Sequence, residues 1–233
     1  MQYPLLIALD DFNLHDEQSF YYFRKIYKSR LSKIEMKNQE IVLREIAFSA
    51  IEKKEFSLTQ SELSKNLNIS LSIINNIVKK LDSMGAVKIM QRCFKILNIK
   101  KILYYWASVR NIEKDIIFRI RVETPAREIE RAMPDAVFTA FTAYKLNYND
   151  VPADYSEVYA YADENETEII KERLKKMKTS DNNPNLFILK KDKILGQYRK
   201  IPLGQIFVDL WNIKEWYAKD YTSEMENKLG LNK

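Results

Sequence analysis

The sequence predicts an α+β protein in which a mostly helical N-terminal part precedes a compact α/β part. Three observations predict it. Two helical patterns joined by a short turn lie between Thr59 and Ser83, and two alternating apolar runs follow them before Asn98. Beyond residue 102, helical and alternating segments take turns. Every unit of the net charge of +6 lies in residues 57–101, which hold eight Lys/Arg against two Asp/Glu, while 1–56 hold nine of each and 102–233 hold 21 of each.

Residues 1–37 form an N-terminal arm and an amphipathic helix. The helix spans Glu17 to Lys37, with Phe20, Phe23, Tyr27, Leu31 and Ile34 recurring at steps of three and four and basic residues on the other faces. Its stripe must be buried, either on the C-terminal part or on a second copy of the chain in a homodimer. Asn38 to Lys54 is a second helix, capped by Asn38 and apolar over a wide arc through Ile41, Val42, Ile46, Ala47, Ala50 and Ile51. It opens a domain spanning 38–101.

Phe56 and Leu58 begin a short strand. Thr59 to Glu62 is a capping box, in which the hydroxyl takes an N–H of the first turn and the carboxylate returns to the cap residue. Leu63 and Leu67 share one face, and Asn68, Ile69 and Ser70 make the turn. Ser70 caps a helix whose Ile74, Ile77, Val78 and Leu81 point inward, and Gly85 supplies the left-handed residue that leaves it. Val87 to Met90 and Phe94 to Leu97 are two strands paired around Gln91, Arg92 and Cys93. This order is that of a winged helix-turn-helix, so the fold expectation becomes a winged helix-turn-helix domain followed by an α/β domain over 102–233.

In that second domain Lys100 to Asn111 is a connecting helix and Ile116 to Glu123 a strand with one buried face. Ala126 to Met133 is helical, and Val137 to Leu146 is either a strand running into a helix or one short helix capped at Thr139. A polar loop covers Asn147 to Tyr155. Glu157 to Ala162 and Asn185 to Leu189 are strands flanking a helix over Glu164 to Met177, and a final helical stretch follows Ile201, Pro202 and Leu203. The aromatic residues Trp211, Trp216, Tyr217 and Tyr221 read as core at this spacing.

Composition excludes several classes. With 46% hydrophobic residues the chain has ample material for a core. No apolar run reaches the roughly 18 residues of a membrane span, and the opening MQYPLLIALDDF is too short and too soon acidic for a signal peptide, so the chain is expected in the cytoplasm and off the membrane. One cysteine, Cys93, excludes an internal disulfide. One histidine, His15, excludes most histidine-based metal and triad chemistry. The four glycines stand in no phosphate-loop spacing. No cofactor, metal site or catalytic group is expected, and Asp209 reads as a helix-face residue or a tertiary hydrogen-bond partner rather than a metal ligand. Asp209 and Glu215, six apart on one expected helix, would lie on different faces.

The positive expectation is double-stranded DNA. A basic segment in a neutral chain is the footprint of phosphate binding, because each neutralised phosphate releases counterions. On the second helix the outward positions are Leu71, Ser72, Ile73, Asn75, Asn76, Lys79 and Lys80, with Ser70 at its start. Asn75 and Asn76 can bond an adenine edge and Ile73 or Leu71 can meet a thymine methyl, while packing under the wing is the competing role for Leu71 and Ile73. Lys65, Lys79, Lys80, Arg92 and Lys95 suit phosphates, which position without specifying. Two other functions fit less well: a nucleic-acid-processing enzyme, nuclease or nucleotidyltransferase-like, that uses the winged helix to find its substrate and carboxylates such as Asp209 to act on it, and a protein-binding module.

The stretch SLTQSELSKNLNISLSIINNIVKKLDSMGAVKI is similar to the winged helix-turn-helix of MarR-like and related prokaryotic, particularly archaeal, transcriptional regulators. The likeness includes the Thr59-x-x-Glu62-Leu63 opening and Met84-Gly85-Ala86-Val87 leading into the wing. The C-terminal half resembles the partner domain of AbiEi-type proteins, DNA-binding antitoxins and autorepressors, in the order FTAFTAYKL, EVYAYAD, a helix, NLFIL and IPLGQIFVDLW. The chain differs in its extra N-terminal helix. This resemblance implies autoregulation at its own promoter and a non-catalytic C-terminal domain that meets a protein partner, a toxin or another regulator.

Overall fold

A computed structural model describes residues 38–232. The arm, the helix expected over Glu17 to Lys37 and His15 lie outside the described residues. Helix α1 covers 38–51 and buries Val42, Leu43, Ile46, Ala47 and Ala50, the wide apolar arc of its sequence. Strand β1 (Ser57–Leu58), helices α2 (Gln60–Leu67) and α3 (Leu71–Ser83) and strands β2 (Val87–Ile89) and β3 (Phe94–Ile96) follow, and the strands form an antiparallel sheet in the order β1-β3-β2.

Local signals set these bounds. Thr59 Oγ1 accepts the Glu62 N–H at 3.1 Å, and its hydroxyl donates to the Glu62 carboxylate at 2.8 Å. The carboxylate thus returns to the cap side chain rather than to its backbone. Asn68 takes the left-handed conformation that ends α2, and Gly85 does the same after α3, at φ 65°.

Helix α4 (Ile99–Val109), capped by Asn98, leads through a 3₁₀ turn at Ile112–Asp115 into β4 (Ile116–Val122). Then come α5 (Ala126–Ala132), β5 (Val137–Thr139), α6 (Ala140–Tyr148), β6 (Val158–Ala162), α7 (Glu164–Leu174), β7 (Thr179–Ser180), β8 (Leu186–Lys190), α8 (Leu203–Trp211) and α9 (Ala218–Leu229). The second sheet runs β5-β6-β8-β4-β7, with β6 and β8 parallel across α7 and the other pairs antiparallel.

Alternation on the central strands divides the core into two layers. Val158, Ala160, Ala162, Leu186 and Ile188 pack with Ile129 of α5 and Ile170 and Leu174 of α7. On the opposite face Tyr159, Tyr161, Phe187 and Leu189 join one cluster that runs through α6, α8 and α9 into α4, α3 and α1. No gap in the core therefore marks residue 102. Gly204 makes the closest approach possible, since a Cβ there would stand 3.2 Å from both Ala47 Cβ and Leu103 Cδ2.

Of the two alternatives for Val137 to Leu146, the strand running into a helix is the one present, with the Thr139 hydroxyl donating to Asp209 rather than capping. Three expectations for the C-terminal part need correction. Helix α6 continues to Tyr148, so the loop begins at Asn149, which ends the helix in the left-handed conformation. The final helical stretch is broken at 212–217, and Glu215 falls in that break rather than on a helix with Asp209. Of the aromatic group only Tyr221 is core; Trp211 is 45% exposed and Trp216 80% exposed. The break turns Trp216 out of the helical spacing that would have buried it.

Candidate nucleic-acid interface

Helix α3 is positioned by its buried stripe, Ile74, Ile77, Val78 and Leu81, and by Ser70, whose Oγ accepts the Ile73 N–H at 3.4 Å. The opposite face presents Leu71, Ser72, Asn76, Lys79 and Lys80 to solvent. Two expected outward residues sit at its border. Ile73, four residues before Ile77, is half-buried against the core; Asn75, three before Val78, is half-buried with Oδ1 shielded and without a partner among the described residues. The exposed face thus narrows to Leu71, Ser72, Asn76 and Lys79, with the Lys80 ammonium 5.7 Å from the centre of the Tyr105 ring at its edge.

Two contacts fix the neighbouring segments to this helix. Asp82 Oδ1, in its last turn, accepts the Ile89 N–H of β2 at 2.9 Å, which ties the β2–β3 hairpin to α3. Lys101 Nζ of α4 donates to the Met84 carbonyl at the end of α3 at 2.8 Å.

Lys65 is exposed on the last turn of α2, and Arg92 is exposed in the hairpin turn closed by Met90 N–H donating to the Cys93 carbonyl. Lys95 is exposed on β3. The register places it directly opposite Lys88 on β2, also exposed. Like charges facing each other across a ladder cost stability unless an anion screens them. Alternation marks Lys88 only as one outward residue of a strand; the register counted back from the Met90 to Cys93 turn is what pairs it with Lys95.

In the second half the most deeply buried carboxylate is committed to structural hydrogen bonds. Asp209 is fully buried and receives four donors: Arg110 Nε at 2.6 Å and Gln205 Nε2 at 3.0 Å on Oδ1, Thr139 Oγ1 at 2.6 Å and Tyr161 Oη at 2.7 Å on Oδ2. Its lone pairs are taken. Burial alone would lower the Arg110 pKa, but Asp209, Tyr161, Glu40 and Asp115 together outweigh it and hold the guanidinium firmly charged; burial, with Asp209 adding to it and Arg110 opposing it, pushes Tyr161 well above the usual phenol range. Among the described residues no group of three or more His, Cys, Asp and Glu side chains is placed to hold a metal ion, Cys93 is half-buried and free, and no helix is long and apolar enough to cross a membrane.

No protein-family model matches the chain, and no curated protein or solved structure matches it.

Proposed function

We propose that the chain is a sequence-specific double-stranded DNA-binding transcriptional regulator, built on a winged helix-turn-helix and regulating its own promoter in the manner of an antitoxin. The observation that carries this reading is the exposed face of α3, with Asn76 beside Lys79, inside the segment that holds the whole net charge of the chain. The order α1-β1-α2-α3-β2-β3 and the β1-β3-β2 sheet support it, being the order of a winged helix. In this reading the leading turns of α3 enter the major groove, Asn76 reads a base edge, and Lys65, Lys79, Lys80, Lys88, Arg92 and Lys95 hold phosphates.

A second copy or a protein partner engages the C-terminal part, where exposed Trp211 and Trp216 are side chains of the kind that anchor such contacts. Selection of bound genomic fragments followed by footprinting tests the proposal. It expects a discrete protected site, including one upstream of the chain's own gene, with affinity that falls steeply with salt. Uniform weak binding to every fragment would refute it.

A further inference from the structure

A cleft that the DNA-reading proposal leaves unused lies where α1 meets the α/β part. Its volume is about 380 Å³, within the range of small-molecule sites. One wall is α1, through Glu40 and Arg44. The other is the 3₁₀ turn after α4 with Lys114 and Asp115, and the end of β8 with Lys190 and Asp192. The floor is a continuous chain of hydrogen bonds, buried at its centre and half-buried where it meets Asp192, Glu40 and Asp115: Arg44 donates to Asp192 and, at 3.3 Å, to Gln205; Gln205 donates to Tyr161 and Asp209; Arg110 donates to Asp209, Tyr161, Glu40 and Asp115. Such a floor is rigid, because Arg44, Gln205, Tyr161, Arg110 and Asp209 are each held by more than one partner.

What the floor leaves over defines a ligand. Both arginines are committed to carboxylates, yet Lys114 and Lys190 at the rim are exposed and unpaired among the described residues. Arg44 Nε, on a side chain that is 4% exposed, also has no partner there. Each carboxylate that grips Arg110 from the cleft uses one oxygen: Glu40 Oε2 and Asp115 Oδ2 accept, and Glu40 Oε1 and Asp115 Oδ1 accept nothing among the described residues. Two free ammonium groups suit one compact anionic head, and free carboxylate oxygens suit hydroxyl donors. A polyanion would meet Glu40, Asp115 and Asp192. A base would find no stacking surface, since Tyr161, the sole aromatic residue of the lining among the described residues, is buried.

We propose that this cleft binds a small phosphorylated polyol, with its phosphate between Lys114 and Lys190 and its hydroxyls on Glu40 and Asp115. A ligand so held touches α1 and the α/β part together, and therefore acts as an effector of DNA binding; this last step rests on the regulator reading above. Binding and regulation are measured apart. Titration calorimetry of the full chain, without DNA, with ribose 5-phosphate, ribose and inorganic phosphate as probes tests the cleft. Ribose 5-phosphate binds at least about tenfold tighter than either fragment, and the Lys114→Ala/Lys190→Ala variant loses at least about tenfold in that affinity while its melting temperature without ligand stays put, both lysines being exposed. Absence of heat with ribose 5-phosphate at millimolar concentration, equal affinity for inorganic phosphate, or an unaffected double variant overturns the proposal. Anisotropy with a selected DNA fragment, with and without ribose 5-phosphate, then reads the effector step. A chain that binds the probe but no DNA sinks the regulator reading and leaves the cleft standing.

Discussion

The Glu52 carboxylate, just past the end of α1, accepts the backbone N–H of Leu203 at 2.6 Å, across 151 residues of sequence. Helix α8 begins at that amide behind Pro202, which offers it no side-chain cap, so a carboxylate from the far end of the chain takes an N–H that its own turn leaves unsatisfied.

That contact makes stability depend on pH. Burial raises Glu52 from the ordinary carboxylate range to about 7, against the smaller lowering by the Leu203 N–H and Lys54, with Glu45 adding slightly to the rise. A carboxyl raised on folding stabilises the native state fully below its unfolded pKa, and the contribution is lost as pH rises through the folded value. Between pH 8 and pH 5 the wild-type melting temperature therefore gains a Glu52 component on acidification. Glu52→Gln removes that component and, at pH 8, melts above the wild type; thermal scans of both proteins across this range check it, and parallel pH profiles would show the assignment to be wrong.

The Asp209 network predicts a large loss of stability. Asp209→Ala leaves the Arg110 charge buried with Glu40 and Asp115 as its remaining carboxylates and leaves Tyr161 and Thr139 without their acceptor. The cost is about 3–5 kcal/mol, read as a lower urea midpoint. A midpoint within experimental error of the wild type would contradict this account.

On α3 the two kinds of contact separate. Asn76→Ala relaxes discrimination between sites by about 1–3 kcal/mol, whereas Lys79→Ala weakens all sequences alike and lowers the salt slope by about one. Competition binding at several salt concentrations distinguishes them, and identical behaviour of both variants toward every DNA would displace α3 as the reading helix.

The facing lysines of the hairpin give a prediction of opposite signs. Lys88→Glu turns a like-charge pair with Lys95 into an opposite-charge pair, which stabilises the fold by about 0.2–1 kcal/mol and weakens DNA binding at low salt. Chemical unfolding and DNA titration on the same preparation measure both; a variant that gains stability with full DNA affinity would remove the hairpin from the phosphate-binding set.

How much of this could be read in the chain depends on distance along it. The segment from Thr59 to Ile96 was legible because its signals are local: Thr59 and Ser70 bond within three residues, Gly85 takes a conformation that other residues adopt at a cost, and the α3 stripe repeats at 3.6. The Asp209 network was not, since three of its partners come from 99, 70 and 48 residues away and Gln205 alone shares its helix. The spacing leaves Asp209 open between a helix-face residue and a tertiary partner, and no spacing names Arg110. The cleft escaped for the same reason. Trp211 and Trp216 misled because an aromatic residue at helical spacing reads as core, and only the interruption at 212–217 turns Trp216 outward. Asn75 and Asn76 are neighbours of one type, and which of them faces out depends on the exact rotation of α3 against the core.

The seat of α1 also sets an order of events during synthesis. Its buried face rests on Gly204 and its neighbours, and Glu52 and Arg44 wait for Leu203 and Gln205. While the ribosome adds the residues in between, at about 5–20 per second, helix α1 has no finished surface to settle on. Contacts of such long range slow folding, so a nascent chain stalled before residue 203 emerges would hold its 57–98 segment with one side of the core still open.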